Sequence, residues 1–197
     1  MAGEVTCEVC KKRVPGFDSV HYGGPGASHQ LCSKCFNEAI SDRNGLDFEH
    51  PELEPITIAD CEGTPHTFHF RSHLVPTGLS IEAFELEDGN MAGYQFMVLG
   101  DPEADPRDLF QELVARIRRG LSRKYLEPSD LGLLIAKNHD RHLVQGRIDC
   151  DPESDERVPL LVIDGKEITW AQFGRMLMSF EGFQLQLEIF DSTEELP

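Results

Sequence analysis

Two pairs of cysteines near the start of the chain constrain its fold more than any other feature. Cys7 and Cys10 are separated by two residues, as are Cys32 and Cys35, and 21 residues lie between the pairs. A CxxC spacing lets both sulfur atoms of a tight turn face one centre, and two such turns complete a tetrahedral thiolate site. The pattern predicts one bound Zn²⁺ in an N-terminal module of residues 1–45.

Four thiolates leave no coordination position open for water or substrate, so the predicted zinc is structural rather than catalytic. A segment of this length buries too little apolar surface to fold alone, and metal binding is expected to supply the missing free energy. Phe36, Ala39 and Ile40 follow the second pair with helical spacing, which is typical of a treble-clef or zinc-ribbon-like module. His21 and His29 lie between the pairs and could replace a cysteine; the alternative is that both are exposed loop residues.

The net charge of −17 restricts the binding partners. Residues 105–126 are the exception to an acidic chain, with six basic and three acidic side chains. Most of this surface would repel a phosphate backbone, which disfavours nucleic-acid binding. No apolar run is long enough to span a bilayer, and the first residues are not typical of a signal peptide. We therefore expect a cytoplasmic protein with no membrane association and with reduced cysteines.

The sequence after the cysteines predicts a larger domain. Residues 46–55 are acidic and contain prolines, as in a linker, residues 56–191 form the predicted α+β domain, and residues 192–197 form an acidic tail. Pairs such as Asp88-Gly89 and Asp164-Gly165 predict tight turns between antiparallel strands. Apolar or alternating runs mark the candidate strands ITIADC, HTFHFRSHL, LSIEAFEL, GYQFMVLG, LLIAK, HLVQGRIDC and VPLLVIDGKEI.

Two helices and a last strand complete the predicted domain. A capping Asp105 begins a helix with one apolar stripe, which Gly120 weakens near its end. A second helix is predicted over residues 170–180, opened by Thr169. Apolar and polar residues alternate over residues 183–189, which predicts a half-exposed strand. The expected fold class is α+β, with the zinc module followed by one mostly antiparallel sheet that carries two main helices.

His69, Arg71 and His73 share one face of a predicted strand and form the first candidate ligand site. The two histidines would lie roughly 13 Å apart on a straight strand, too far to bind one metal ion together. Polar residues on an open sheet face are the plain interpretation. A binding site for an anionic ligand, with Arg71 as its fixed charge, is the alternative.

Other candidate groups are less complete. The segment with His139, Asp140, Arg141 and His142 could support acid–base chemistry, but no nucleophile lies near it in sequence, and a solvated loop is the alternative. The two remaining cysteines, Cys61 and Cys150, lie in acidic surroundings that disfavour a reactive thiolate.

Arg116, Arg119 and Arg123 recur along one face of the first long helix and form a candidate basic contact surface. This row could contact an acidic partner or a nucleic acid. In a chain of such negative charge, ion pairs within the protein are the favoured interpretation.

Several of these segments resemble a bacterial family of uncharacterised proteins. The resemblance rests on HTFHFRSHL, GLSIEAFE, GYQFMVLGDPEADP, LFQELVARIRRGLSRK and VPLLVIDGKEITWAQFGRMLMSFEGFQLQLEIFD. It covers most of residues 64–191, and the zinc module resembles one that precedes this domain in such proteins. The resemblance supports the architecture and implies no catalytic residue.

The sequence as a whole favours a non-enzymatic adaptor or regulatory protein that binds another protein. A closed metal site, no complete catalytic set and a charged surface suited to a basic protein partner support this interpretation. An enzyme with its site on the His69, Arg71 and His73 face is the alternative. Nucleic-acid binding by the zinc module and the basic helix is a weaker one.

Overall fold

The computed structural model describes residues 3–24, 28–130, 132–138, 141–152, 154 and 157–194. Within them the strands pair antiparallel in every sheet, and three α-helices accompany them, so the predicted α+β class is confirmed. No helix in this part of the chain is both long enough and apolar enough to cross a membrane.

The N-terminal module consists of two hairpins followed by one helix. Its helix ends at Gly45, whose φ of 65° is a left-handed conformation that glycine adopts without steric cost. The N–H of Leu46 then donates to the carbonyl of Ser41, which closes the last turn. The elements are β1 (Glu4–Thr6), β2 (Arg13–Pro15), a 3₁₀ turn (Gly16–Asp18), β3 (Ser19–Tyr22), β4 (His29–Cys32) and α1 (Ser33–Asn44).

A four-stranded antiparallel sheet with one long helix forms the centre of the molecule. Its strand order is β5-β6-β7-β8, and the predicted turn at Asp88 and Gly89 joins the last two strands. The side chain of Asp105 accepts a hydrogen bond from the N–H of Arg107, as expected of the cap residue. The elements are β5 (Ile56–Ala59), β6 (Pro65–Val75), β7 (Gly78–Glu87), β8 (Asn90–Gly100) and α2 (Pro106–Gly120).

The helix α2 covers one face of this sheet and completes a hydrophobic core. Leu113 and Ile117 of the helix are fully buried against strand residues such as Ile81. Phe48 and Leu53, from the expected linker, also pack against this core. The segment that joins the module to the sheet is therefore part of the folded body.

The remaining strands belong to a second unit with its own core. A three-stranded sheet in the order β13-β14-β15 packs with α3 around a cluster that includes Ile163, Ile168 and Met176. The described strands of residues 56–191 are thus divided between separate sheets rather than joined in the single expected sheet. The elements are β9 (Leu126–Ser129), β10 (Gly132–Ile135), β11 (Lys137–Asn138), β12 (Arg141–His142), β13 (Arg147–Cys150), β14 (Pro159–Ile163), β15 (Lys166–Thr169), α3 (Trp170–Leu177) and a 3₁₀ turn (Met178–Phe180).

The last predicted strand is wrong. Residues 183–189 pair with no strand of the described chain, and we call this segment the C-terminal strap. Its four apolar side chains are Phe183, Leu185, Leu187 and Ile189, exposed by 73%, 72%, 73% and 71%. Alternation alone made the segment look like a strand, but a strand also needs an edge to pair with, and the structure brings none to it.

Candidate functional site

The four predicted metal ligands come together in the N-terminal module. Cys7 and Cys10 lie in the turn between β1 and β2, where Lys11 adopts a φ of 61°. Cys32 is the last residue of β4, and Cys35 lies in the first turn of α1. The two hairpins and the helix start thus each direct cysteine sulfur atoms toward one point.

The spacing of these sulfur atoms fits one tetrahedral metal ion. All four Sγ atoms lie within 4.8 Å of one another, and the Cys10 and Cys32 Sγ atoms are 3.9 Å apart. A zinc ion with bonds of about 2.3 Å would give sulfur–sulfur edges of about 3.8 Å. Cys7, Cys32 and Cys35 are buried among Leu31 and neighbouring apolar side chains. The cluster can therefore bind a metal ion.

The ionisation of these thiols also favours a bound cation. Burial raises the pKa of Cys7, but backbone hydrogen bonds from Cys32, Cys10 and Val9 outweigh it and lower that pKa to about 6. Burial raises the pKa of Cys35, and the adjacent sulfur atoms raise it further. One thiolate forms readily, whereas four adjacent thiolates need a divalent cation to neutralise them.

His29 and His21 are not part of the cysteine cluster. The Nδ1–H of His29 donates to a carboxylate oxygen of Glu8 at 2.8 Å, and Glu8 also accepts a hydrogen bond from the N–H of Gln30. These contacts tie the cysteine turn to β4. Both histidines are exposed, as one interpretation predicted, but His21 lies on β3 and His29 on β4 rather than in a loop.

The module is docked on the central sheet through Asn37, which is fully buried on α1. Its amide nitrogen donates to the carbonyl of Ser72 at 2.9 Å, and its oxygen accepts from the N–H of Leu74 at 2.8 Å. The Asn37 side chain thereby pairs with the free edge of β6 as a strand residue would. The second amide proton is directed at Nδ1 of His50, 3.0 Å away.

The module also covers the sheet face that carries His69, Arg71 and His73. The His73 ring lies 3.0 Å from the hydroxyl of Ser33 and packs edge-on against Phe36. Arg71 forms two hydrogen bonds with Glu82 and donates to the carbonyl of Phe17. The predicted open face is therefore an interdomain contact, and the fixed charge of Arg71 is neutralised by Glu82.

A cleft of about 370 Å³ remains beside this contact. It lies between the 3₁₀ turn of the module, residues 50–55 and the stretch of β6 from His69 to Ser72. Of the three predicted ligand-binding residues, His69 and Arg71 line it. The hydroxyl of Ser72, another lining residue, is buried and has no hydrogen-bond partner among the described residues.

A largely buried charged network that the sequence did not reveal ties Lys124, which follows α2, to the central sheet. Asp60, whose side chain is 1% exposed, accepts from Lys124 at 2.7 Å and lies 3.3 Å from Nε2 of His66. The other His66 nitrogen is 2.8 Å from Glu85, and Lys124 also donates to the hydroxyl of Tyr94. The hydrogen bond from Lys124 holds the pKa of Asp60 well below its usual range.

The predicted basic row is divided by the fold. Arg116 is largely buried, pairs with Glu112 and donates to the carbonyls of Met97 and Thr193. Arg119 and Arg123 are exposed. Lys124 makes the internal ion pair with Asp60 that the charge balance favoured.

The remaining candidates do not gather into a site in the described chain. His139 and Asp140 lie outside the described residues, as do residues 195–197 of the predicted tail. Arg141 and His142 are exposed on β12. Cys61 and Cys150 are exposed free cysteines.

Three protein-family models match successive parts of the chain. Each describes a domain of unknown function: DUF7685 matches residues 6–47, DUF7686 matches residues 49–122 and DUF7713 matches residues 131–194. The first corresponds to the N-terminal module, the second to the central sheet with α2, and the third to the unit with α3. Together with the cysteine cluster, these matches fit an uncharacterised family with a possible zinc site. No curated protein and no solved structure matched the chain.

Proposed function

We propose that this chain is a non-enzymatic adaptor, stabilised by one zinc ion, that binds a second protein through its C-terminal strap. The observation that carries the proposal is the exposure of four alternating apolar side chains in a segment with no strand partner in the described chain. Large apolar side chains grouped in one water-exposed segment are typical of a protein interaction site.

Zinc is the proposed metal because four thiolates in a tetrahedral arrangement favour it over oxygen-preferring ions. The cysteine turn, the hairpin and the helix that begins beside the second pair support a treble-clef arrangement. With four cysteines as ligands the ion stabilises the module and its docking surface on α1. It has no role as a catalyst.

The proposed partner is a basic protein with an open sheet edge. The strap is held at its start by the hydrogen bond from Phe183 to Phe180, and just beyond its end by Arg116, which binds the carbonyl of Thr193. Between these anchors its backbone is available to pair with an added strand. Its only charged residue is Glu188, and Glu181 and Asp191 flank it, so basic residues on the partner would be attracted.

Site-specific photo-crosslinking tests this function. A photo-reactive amino acid replaces Gln186 in the full chain, and an otherwise identical protein carries it at Gln111, an exposed residue of α2. Irradiation in extracts of the native host should give a discrete crosslinked protein only from position 186. The double substitution Leu185→Asp and Leu187→Asp should remove that product.

Equal products from positions 186 and 111, or a product that survives the double substitution, would overturn the proposal. The partner recovered should carry basic residues beside an exposed strand, which mass spectrometry of the crosslinked peptide identifies. A partner crosslinked through a helix would also contradict strand addition.

A further inference from the structure

The cleft beside the module coincides with a gap in the pairing of a sheet edge. β5 pairs with β6 up to the contact between Ile56 and Phe68. Further along the same edge, the Asn37 side chain takes over and binds the carbonyl of Ser72 and the N–H of Leu74. Between these two pairings, roughly 13 Å of strand lies open to the cleft.

The backbone groups in this gap face the cleft. In an antiparallel pair, alternate residues direct both N–H and C=O toward the same neighbour. Ser72 and Leu74 direct theirs toward Asn37, so Phe70 directs its N–H and C=O to the same side. Among the described residues, β5 pairs no further than Phe68, and Asn37 binds only the Ser72 carbonyl and the Leu74 N–H. Neither therefore reaches the Phe70 groups or the Ser72 N–H, and unpaired groups at a strand edge favour a partner.

The walls of the cleft are apolar and its charge is negative. Pro15, Phe17 and Leu53 line it, and a volume of about 370 Å³ is at the small end of the range for ligand pockets. The acidic lining residues are Asp18, Glu52 and Glu54.

The basic groups of the lining do not offset these carboxylates. Arg71 is already paired with Glu82. Burial lowers the pKa of His50, which favours its neutral form. A cation is therefore the complementary ligand, in contrast to the anionic ligand that the sequence offered as an alternative.

We infer that this cleft binds a short extended peptide segment carrying a lysine or arginine, which pairs with Phe70 and Ser72 as an added strand. The peptide backbone completes the edge of β6, its apolar side chain contacts Phe17 and Leu53, and its basic side chain reaches Asp18 and Glu52. The cleft lies on a different unit from the strap and gives the proposed adaptor a second binding surface. The inference depends on the proposed function only in assuming that the ligand is part of a protein.

A nuclear magnetic resonance titration of the metal-loaded full chain tests the inference. The probe is the blocked pentapeptide Thr-Lys-Val-Lys-Thr, compared with the charge-reversed Thr-Glu-Val-Glu-Thr. The amide signals of Phe70 and Ser72 should shift saturably with the basic peptide and stay unchanged with the acidic one. The substitutions Asp18→Asn and Glu52→Gln together should weaken binding about fivefold without unfolding the chain, since both carboxylates lie at least partly in solvent.

The inference is overturned if the two amides do not move at about 10 mM basic peptide, where even a millimolar Kd is close to saturation. Equal shifts with both peptides would overturn it too. The Leu185→Asp and Leu187→Asp protein should bind the peptide as tightly as the wild type. The inference about the cleft and the proposal about the strap can therefore be contradicted independently of each other.

Discussion

Gly120 and Gly174 both lie in helices, but their surroundings predict opposite effects of the same substitution. A Cβ on Gly120 would lie 2.5 Å from the ring of Phe96, which is held between Phe68 and Tyr94. A Cβ on Gly174 would meet nothing within 4 Å. Alanine favours a helix over glycine by about 1 kcal/mol, so packing decides the sign at Gly120.

We expect Gly174→Ala to raise the midpoint of thermal unfolding and Gly120→Ala to lower it. The loss in the free energy of unfolding for Gly120→Ala should be about 1–3 kcal/mol. Calorimetry of the two single variants and the wild type checks this. A rise for Gly120→Ala would mean that the Phe96 ring moves freely. In the sequence Gly120 looked like a weak point of the helix, whereas the structure shows that it makes room for an aromatic ring.

Asp60 should make stability depend on acid pH. Its pKa is below the ordinary value in the folded chain, so the unfolded chain binds a proton first as the pH falls. The stability that Asp60 contributes is present near neutral pH and is lost as the pH falls from its ordinary value of about 3.9 through the folded value. Asp60→Asn should cost about 3–5 kcal/mol at pH 7, because Lys124 then stays largely buried without its carboxylate.

Urea unfolding of wild type and Asp60→Asn between about pH 7 and pH 2 measures both effects. The two curves should converge toward acid pH. Glu87→Gln, at an exposed residue, is the matched control and should change stability by less than about 0.5 kcal/mol. Parallel curves for Asp60→Asn and wild type would exclude the ion pair as a source of stability.

At the scale of elements, Asn37 supplies the hydrogen bonds from α1 to the backbone of β6. Replacing Asn37 by alanine leaves the N–H of Leu74 and the carbonyl of Ser72 without partners in a buried contact. Asn37→Ala should therefore lower the free energy of unfolding by about 2–3 kcal/mol. Glu38→Ala, at the next and exposed position, should have a small effect in the same chemical denaturation experiment. Equal losses in both variants would mean that the helix, rather than the amide, determines docking.

Metal removal should disturb more than the cysteine module. Because α1 begins at the second cysteine pair, loss of the ion should unfold the module and release Asn37 from the edge of β6. Native mass spectrometry should show one ion per chain, lost with a strong chelator. Hydrogen exchange at the Leu74 amide should rise at the same time.

Two variants separate the outcomes of metal removal. Cys35→Ser should abolish metal binding and raise hydrogen exchange at the Leu74 amide, as the chelator does. Cys61→Ser should bind metal normally, since Cys61 lies outside the cluster. An unchanged Leu74 amide after chelation would show that the module stays docked without metal.

Local spacing predicted the elements well and their long-range contacts poorly. The cysteines, the turn at Asp88 and the cap at Asp105 are each recognisable within a few residues, and the structure contains all of them. Asp60 and Lys124 are 64 residues apart in the sequence, and no periodic pattern records their contact. The predicted strand over residues 183–189 was wrong because an alternating pattern favours a strand but does not specify the edge with which it pairs.

The docked module as a whole should loosen when histidines are protonated. Burial lowers the pKa of both His50 and His73 in the folded chain. The unfolded chain then binds protons first as the pH falls below the ordinary histidine value of about 6.5, so the free energy of unfolding decreases until the folded pKa is passed. A proton on Nδ1 of His50 would also face the amide protons of Asn37.

Urea unfolding of the metal-loaded chain between about pH 8 and pH 5 tests this pH dependence above the range in which Asp60 titrates. His50→Gln retains an oxygen that can accept from Asn37 but does not titrate, so its stability should fall less steeply with acid than that of the wild type. Any loss of metal at low pH affects both proteins alike, and the difference between the two slopes therefore isolates His50. Equal slopes would mean that the module stays docked when His50 is charged, and that docking does not depend on the protonation of His50.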